Sequence, residues 1–199
     1  MIKNVVFDFG QVLVHFEPHY MCSQYLTDED DIKLVSDVLF DRLYWDKLDM
    51  GTIEDDEVVS LAKARLPERL HTPCEKIYEN WMFNLPEIDG MRKVIALCKE
   101  RGLGVYLLSN ISRGFAKRHK EIPILSLVDG CIFSAECGFV KPSSDIFDYL
   151  CKSFKLSPSE TLFVDDNVKN INGAKNFGII AYLFNGDSKA LYEYISNNA

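Results

Sequence analysis

Five short runs rich in β-branched and aromatic residues punctuate the chain: Asn4–Phe9, Gly104–Asn110, Cys131–Ala135, Thr161–Asp165 and Ile179–Phe184. Each is too short for a helix and predicts a buried strand. Before the second run and between the later ones, apolar residues return at helical spacing. Residues 89–101 place Met91, Val94, Ile95 and Cys98 on one face, and residues 143–154 do the same with Ile146, Phe147, Leu150 and Cys151. Residues 168–177 carry Ile171, Ala174 and Phe177. Strand and helix in alternation predict an α/β fold built on a parallel sheet.

Residues 17–86 break the alternation and contain no strand pattern. Helices are expected after Pro18, from Thr27 (with Asp28, Glu29 and Asp30 in the dipole-favoured first turn), from Thr52 and through Cys74 to Trp81. Thr52 and Asp55 approximate a capping box. So much helix is far more than a crossover between parallel strands needs. It predicts an inserted all-helical cap over the strand ends, with residues 1–16 and 87–199 forming the core. The other arrangement open to the sequence is one mixed domain with a thick helical layer. Asp28–Asp31 and Glu54–Glu57 read as solvated helix starts.

Composition narrows the class. The chain has 199 residues, 47% of them hydrophobic, which is enough for a sizeable core. Lys and Arg number 22 against 30 Asp and Glu, a net charge of −8. That balance argues against a nucleic-acid partner, which needs a basic face. No apolar stretch is long enough for a bilayer, and the N-terminus lacks the pattern of a signal peptide. Cys22, Cys74, Cys98, Cys131, Cys137 and Cys151 show no C-x-x-C spacing and sit mostly in apolar contexts. They read as reduced core thiols of a cytoplasmic protein.

The polar residues that end the apolar runs carry the candidate chemistry. Asp8 closes the first, Ser109 and Asn110 the second, and Asp165 and Asp166 the fourth. Parallel sheets bind ligands beyond the carboxyl ends of their strands, so these groups can meet. Adjacent buried carboxylates repel one another, and a hard divalent cation such as Mg2+ relieves that cost with oxygen ligands. Lys141 precedes Pro142 and a helix start. A carboxylate, a hydroxyl, a lysine and an acidic pair are the parts that phosphoryl transfer needs.

Phe7-Asp8-Phe9-Gly10-Gln11-Val12-Leu13, Leu107-Leu108-Ser109-Asn110, Lys141-Pro142 and Phe163-Val164-Asp165-Asp166-Asn167 resemble, in order, the four motifs of the haloacid dehalogenase-like hydrolase superfamily. The resemblance is nearest to its small sugar-phosphate phosphatases and to the phosphatase domain of soluble epoxide hydrolases. It implies a Rossmann-like core with a helical cap and a Mg2+-dependent phosphatase of a small phosphorylated metabolite such as a sugar phosphate. It also implies roles. Asp8 becomes the nucleophile that forms an aspartyl-phosphate, and its other oxygen and the Gly10 carbonyl ligate Mg2+. Asp166 is a direct metal ligand and Asp165 a direct or water-mediated one. Ser109 and the Asn110 N–H hold phosphoryl oxygens, Lys141 neutralises nucleophile and phosphate, and Asn170 stands in the outer shell.

One position departs from the pattern. Many phosphatases of the superfamily carry a second aspartate where this chain has Gly10, and that acid protonates the leaving group. Gly10 is read here as a turn former, free to adopt φ values closed to other residues. A leaving group that needs little help, or a substitute among His15, His19 and Gln11, are the accounts open to a phosphatase. The alternatives are a metal-independent 2-haloacid dehalogenase or a weakly catalytic phosphometabolite-binding protein. Bland readings also stand beside the sharp ones. Ser109 and Asn110 can end a strand and cap a helix, Lys141 can be an exposed loop lysine, and Asp165 can cap the helix at Val168. Trp45, Tyr44 and Trp81 read as cap core, and Arg113 as either a substrate contact or a surface arginine.

Overall fold

A computed structural model describes all 199 residues. Five parallel strands, β1 (Asn4–Phe7), β2 (Gly104–Ser109), β3 (Gly130–Phe133), β4 (Thr161–Asp165) and β5 (Ile180–Leu183), form one sheet in the order β3-β2-β1-β4-β5. The expected α/β class and all five strands are present, with no end displaced by more than two residues. β1 stops at Phe7 because the chain then folds on itself: Leu13 N–H and Val14 N–H both donate to the Phe9 carbonyl.

The helices, in chain order, are α1 (Pro18–Ser23), α2 (Glu29–Leu39), α3 (Arg42–Asp49), α4 (Asp55–Lys63), α5 (His71–Asn80), α6 (Met91–Glu100), α7 (Arg113–Arg118), α8 (Ser134–Cys137), α9 (Ser144–Phe154), α10 (Val168–Phe177) and α11 (Ser188–Asn198). Alternate residues of each strand face opposite sides of the sheet. Val5, Phe7, Val105, Leu107, Leu162 and Val164 join a 46-residue apolar cluster with α6, α11 and the helices α1–α5. Val6, Leu108 and Phe163 join an 11-residue cluster with α9 and α10. No helix is long and apolar enough to cross a membrane. All six cysteines are free, and Cys22, Cys74, Cys98 and Cys151 are buried.

α1–α5 occupy the interval between β1 and β2. The chain enters and leaves them side by side: His15 N–H donates to the Pro86 carbonyl at 2.8 Å and Ile88 N–H to the Leu13 carbonyl at 3.0 Å. Two predicted starts shift. α2 is capped by Asp28, whose carboxylate accepts from Asp31 N–H at 3.0 Å, and not by Thr27. The capping box of α4 joins Glu54 to Glu57, while Thr52 donates to the Lys47 carbonyl.

Asp55 is freed by that shift, and it is not a solvated helix start. Its carboxylate accepts from Tyr78 Oη (2.8 Å) and Ser112 Oγ (3.0 Å) on one oxygen and from Gly114 N–H (2.9 Å) on the other. Gly114 must be glycine for this, since a Cβ there lies 2.4 Å from Asp55 Oδ1. Ser112 and Gly114 belong to the segment after β2, so one carboxylate ties the inserted helices to the sheet. Asp55→Ala leaves a donor orphaned on each side and is expected to lower stability by about 1–3 kcal/mol, read as a lower urea midpoint at unchanged slope. An unchanged midpoint would show that water replaces all three bonds.

Four helices lie outside the predicted ranges, α3, α7, α8 and α11, and α8 takes over Ser134 and Ala135 from the end of the expected third strand. In α3 the pattern is blurred at both ends, because Leu43 is 60% exposed while Asp49 is 7% exposed. An apolar residue points out and an acid points in, so hydrophobic periodicity fails over that helix.

Candidate active site

β1 is the central strand, paired with β2 on one side and β4 on the other, with Phe7 level with Leu107 and Val164. This register delivers Asp8, Ser109 and Asp165 to one edge within a residue or two of each other. Asp8 is held from both sides of its own peptide: its N–H donates to the Val164 carbonyl at 2.9 Å, and Phe9 N–H donates to its Oδ1 at 2.7 Å.

Lys141 is the hub. Its side chain is 1% exposed, and Nζ lies 2.8 Å from Asp8 Oδ1 and 2.8 Å from Asp165 Oδ2. It is therefore no exposed loop lysine, although it sits in the turn between α8 and α9. Asn110 places it, accepting from Lys141 N–H at 2.8 Å and donating to the Lys141 carbonyl at 3.1 Å. Asn110 thus fixes the lysine's main chain, while the cap of α7 is Ser112, whose Oγ accepts from Phe115 N–H.

Asp165 is fully buried, and both its oxygens are engaged. Oδ1 accepts from Asn167 N–H (2.8 Å) and Asn170 Nδ2 (3.1 Å), and Oδ2 from Lys141 and Asn170 Nδ2 (3.1 Å). The cap of α10 is Asn167. Asp166 is exposed and borders the cavity.

The charges do not balance. One ammonium faces three carboxylates whose oxygens lie within 4.8 Å of one another. Burial pushes Asp8 up to about 7; Lys141 opposes the shift and Asp165 adds to it. Burial, then the charge of Asp165, raises Asp166. Burial alone pulls the Lys141 ammonium downward, but Asp8 and Asp165 outweigh it and the net direction is upward. Hard oxygen donors in surplus over positive charge suit a divalent cation with retained waters. The residues therefore fit Mg2+.

A cavity of about 360 Å3 opens over this edge. Its floor includes Asp8, Gly10, Ser109, Asn110, Lys141 and Asp166. Its roof comes from the inserted helices and the segment leading into them: Phe16, Arg42, Trp45, Asp49 and Trp81. Trp45 and Trp81, ring centroids 5.4 Å apart, are buried yet border the opening, so they are helical core and site wall at once. A larger cavity of about 640 Å3 between α4, α5 and α7 holds none of the motif residues.

Of the substitutes considered for the missing acid, only Gln11 borders the cavity. His15 is exposed, His19 pairs with Glu29 at 3.0 Å, and Gln11 donates to the Phe16 carbonyl at 3.0 Å. Arg113 pairs with Glu54 outside the cavity wall. Gly10 is not a turn former by necessity. The left-handed residue is Gln11 (φ 57°), and a Cβ on Gly10 meets only Phe16 Cβ at 3.5 Å, an ordinary contact. The absence of a side chain at position 10 has no backbone cause. Sequence reasoning missed Asp49 and Arg42, which share one face of α3 with Trp45; the i, i+3, i+7 spacing of these residues was the available signal.

A D-ribitol-5-phosphate phosphatase of Bacteroides thetaiotaomicron is 30% identical to this chain, covering 89% of each. A solved haloacid dehalogenase family enzyme from the same organism, in complex with magnesium and inorganic phosphate, is 22% identical with a TM-score of 0.67, covering 94% of this chain and 96% of its own. An L-2-haloacid dehalogenase reaches a TM-score of 0.77 at 18% identity, covering 98% and 99%. These two structures share the fold. The family model for haloacid dehalogenase-like hydrolases matches residues 2–178, the span that contains all four motif segments and the lysine-centred carboxylate cluster. This chain belongs to the haloacid dehalogenase-like hydrolases.

Proposed function

We propose that this protein is a Mg2+-dependent phosphatase of a small phosphorylated metabolite, with a sugar or sugar-alcohol phosphate as the substrate class. The observation that carries the reading is the surplus of carboxylate over ammonium at the end of β1 and β4. A 2-haloacid displacement needs no cation, and it leaves the exposed acid Asp166 without a task. The 30% identity to a D-ribitol-5-phosphate phosphatase supports the same reading, as does the related enzyme bound to magnesium and phosphate.

In this reading Asp8 attacks phosphorus and the bond to the leaving oxygen breaks, giving an aspartyl-phosphate that water then hydrolyses. Ser109 and the Asn110 N–H hold phosphoryl oxygens. Lys141 keeps the Asp8 oxygen oriented and offsets the charge of the phosphoryl group. Asp8, the Gly10 carbonyl and Asp166 would hold Mg2+. Asp165, with four contacts already made, acts through Lys141 and through water. When bound, Mg2+ supplies charge neutralisation to the transferring phosphoryl oxygens. Residues 17–86 act as the cap: they roof the cavity and limit its size. A volume of 360 Å3 suits a compact polar metabolite.

Phosphate release from a panel of sugar and sugar-alcohol phosphates is the test. Release is expected to fall to background in EDTA and to return with Mg2+. Release that survives EDTA would overturn the metal assignment. Halide release from a 2-haloacid in EDTA, with no phosphate release from the panel, would replace the phosphatase by the dehalogenase.

A further inference from the structure

Position 10 offers no proton donor, and another carboxyl faces the same volume. Asp49, the last residue of α3, is 7% exposed and lines the cavity with Asp8 and Lys141. Two features fix it there. Its carbonyl accepts from Ser134 Oγ at 2.6 Å, and that hydroxyl accepts from Ile111 N–H at 2.8 Å. The end of α3 is thereby pinned to the loop that follows Asn110. Two residues on, Gly51 has φ +66°, and a Cβ there would stand 2.6 Å from the Ala135 carbonyl. The chain can leave α3 along one narrow path only.

The Asp49 carboxyl has no partner of its own. It enters no side-chain hydrogen bond or ion pair, yet no fully buried side-chain oxygen or nitrogen in the protein lacks one. Its oxygens therefore open onto the cavity. We propose that Asp49 is the general acid and base of the reaction, in the role for which Gly10 has no side chain; the proposal rests on the phosphatase reading above.

The chemistry balances. As Asp8 bonds to phosphorus and the ester P–O bond breaks, the Asp49 carboxyl gives its proton to the departing alkoxide and an alcohol leaves. The Asp49 carboxylate then takes a proton from the water that attacks phosphorus. The P–O bond to Asp8 breaks, phosphate leaves, and both carboxyls return to their starting forms. Burial pushes Asp49 up to about 7, so that both forms are accessible near neutral pH. The charged groups around it are Arg42 and Asp46 on its own helix and Asp8 and Lys141 at the sheet edge. Asp166 and Lys169 border the same cavity.

Asp49→Asn, Asp49→Glu and the parent protein are compared in Mg2+ with p-nitrophenyl phosphate and with an alkyl phosphate, the best panel member or glycerol phosphate. kcat/KM reports the steps through departure of the leaving group. Nitrophenolate needs no protonation and an alkoxide does. Asp49→Asn is expected to lower kcat/KM about 10²-fold or more for the alkyl ester and less than about tenfold for the aryl ester, with Asp49→Glu recovering part of the alkyl loss. The parent's basic limb near pH 7 for the alkyl ester is expected to vanish in Asp49→Asn. Equal losses for both esters would overturn the role of Asp49 and leave the phosphatase standing. No release from either ester by the parent protein would overturn both readings.

Discussion

Asp8→Asn is expected to lower phosphate release by more than about 10³-fold and to leave the fold intact. The two halves of that result have different causes. An amide oxygen at position 8 can still accept from Phe9 N–H and face Lys141, so the local hydrogen bonds survive. What is lost is an oxygen able to form an acyl-phosphate. Stability is expected to hold or rise, because burial already pushes the Asp8 carboxyl up to about 7. A carboxyl raised in the folded state contributes stability in full below its ordinary value near 3.8 and loses it as pH climbs through 7. A neutral amide escapes that loss. In metal-free buffer the melting-temperature advantage of Asp8→Asn over the parent should therefore be larger at pH 8 than at pH 5, and should fade as pH approaches 3.8. Turnover within tenfold of the parent would remove Asp8 as nucleophile.

Lys141→Met is expected to be the most destabilising single change at this edge. It leaves Asp8 and the fully buried Asp165 facing one another without the ammonium that lies 2.8 Å from each. Removing one partner of a buried ion pair costs about 3–5 kcal/mol, because the surviving charge stays desolvated. For a chain of this length that is a fall in melting temperature of roughly 6–20 °C. The deficit should shrink as pH drops, since the orphaned carboxyls can take up protons. Lys141→Met combined with Asp165→Asn should recover part of it, and the recovery measures the coupling. A shift below about 2 °C at pH 8 would mean that water hydrates the cluster far better than its burial implies.

The sheet was legible because each strand is a short apolar run, and those runs survive in nearly unchanged form. The acids were legible because each ends a strand, and parallel strands deliver their ends to one edge. Asp49 was hidden for a related reason. It ends a helix whose outer face shows Leu43 and whose inner face holds an acid, so the pattern that reveals a helix was broken by the residue that gives that helix its interest. Caps were read two residues early at Thr52, where Glu54 and Glu57 do the work and Asp55 is drawn to the segment after β2. A contact between residues 55 and 114 leaves no trace in local sequence. Gly10 was read for its backbone, yet the positive φ falls on Gln11.

The chain has only two tryptophans, Trp45 and Trp81, and both stand in the roof of the cavity. All indole emission from this protein therefore originates within the site wall. Excitation energy can pass between rings whose centroids are 5.4 Å apart, so the pair reports as one chromophore. The native protein carries its own optical probe: a ligand entering beneath the roof, or a roof lifting away from the sheet, changes the emission colour and yield without any label.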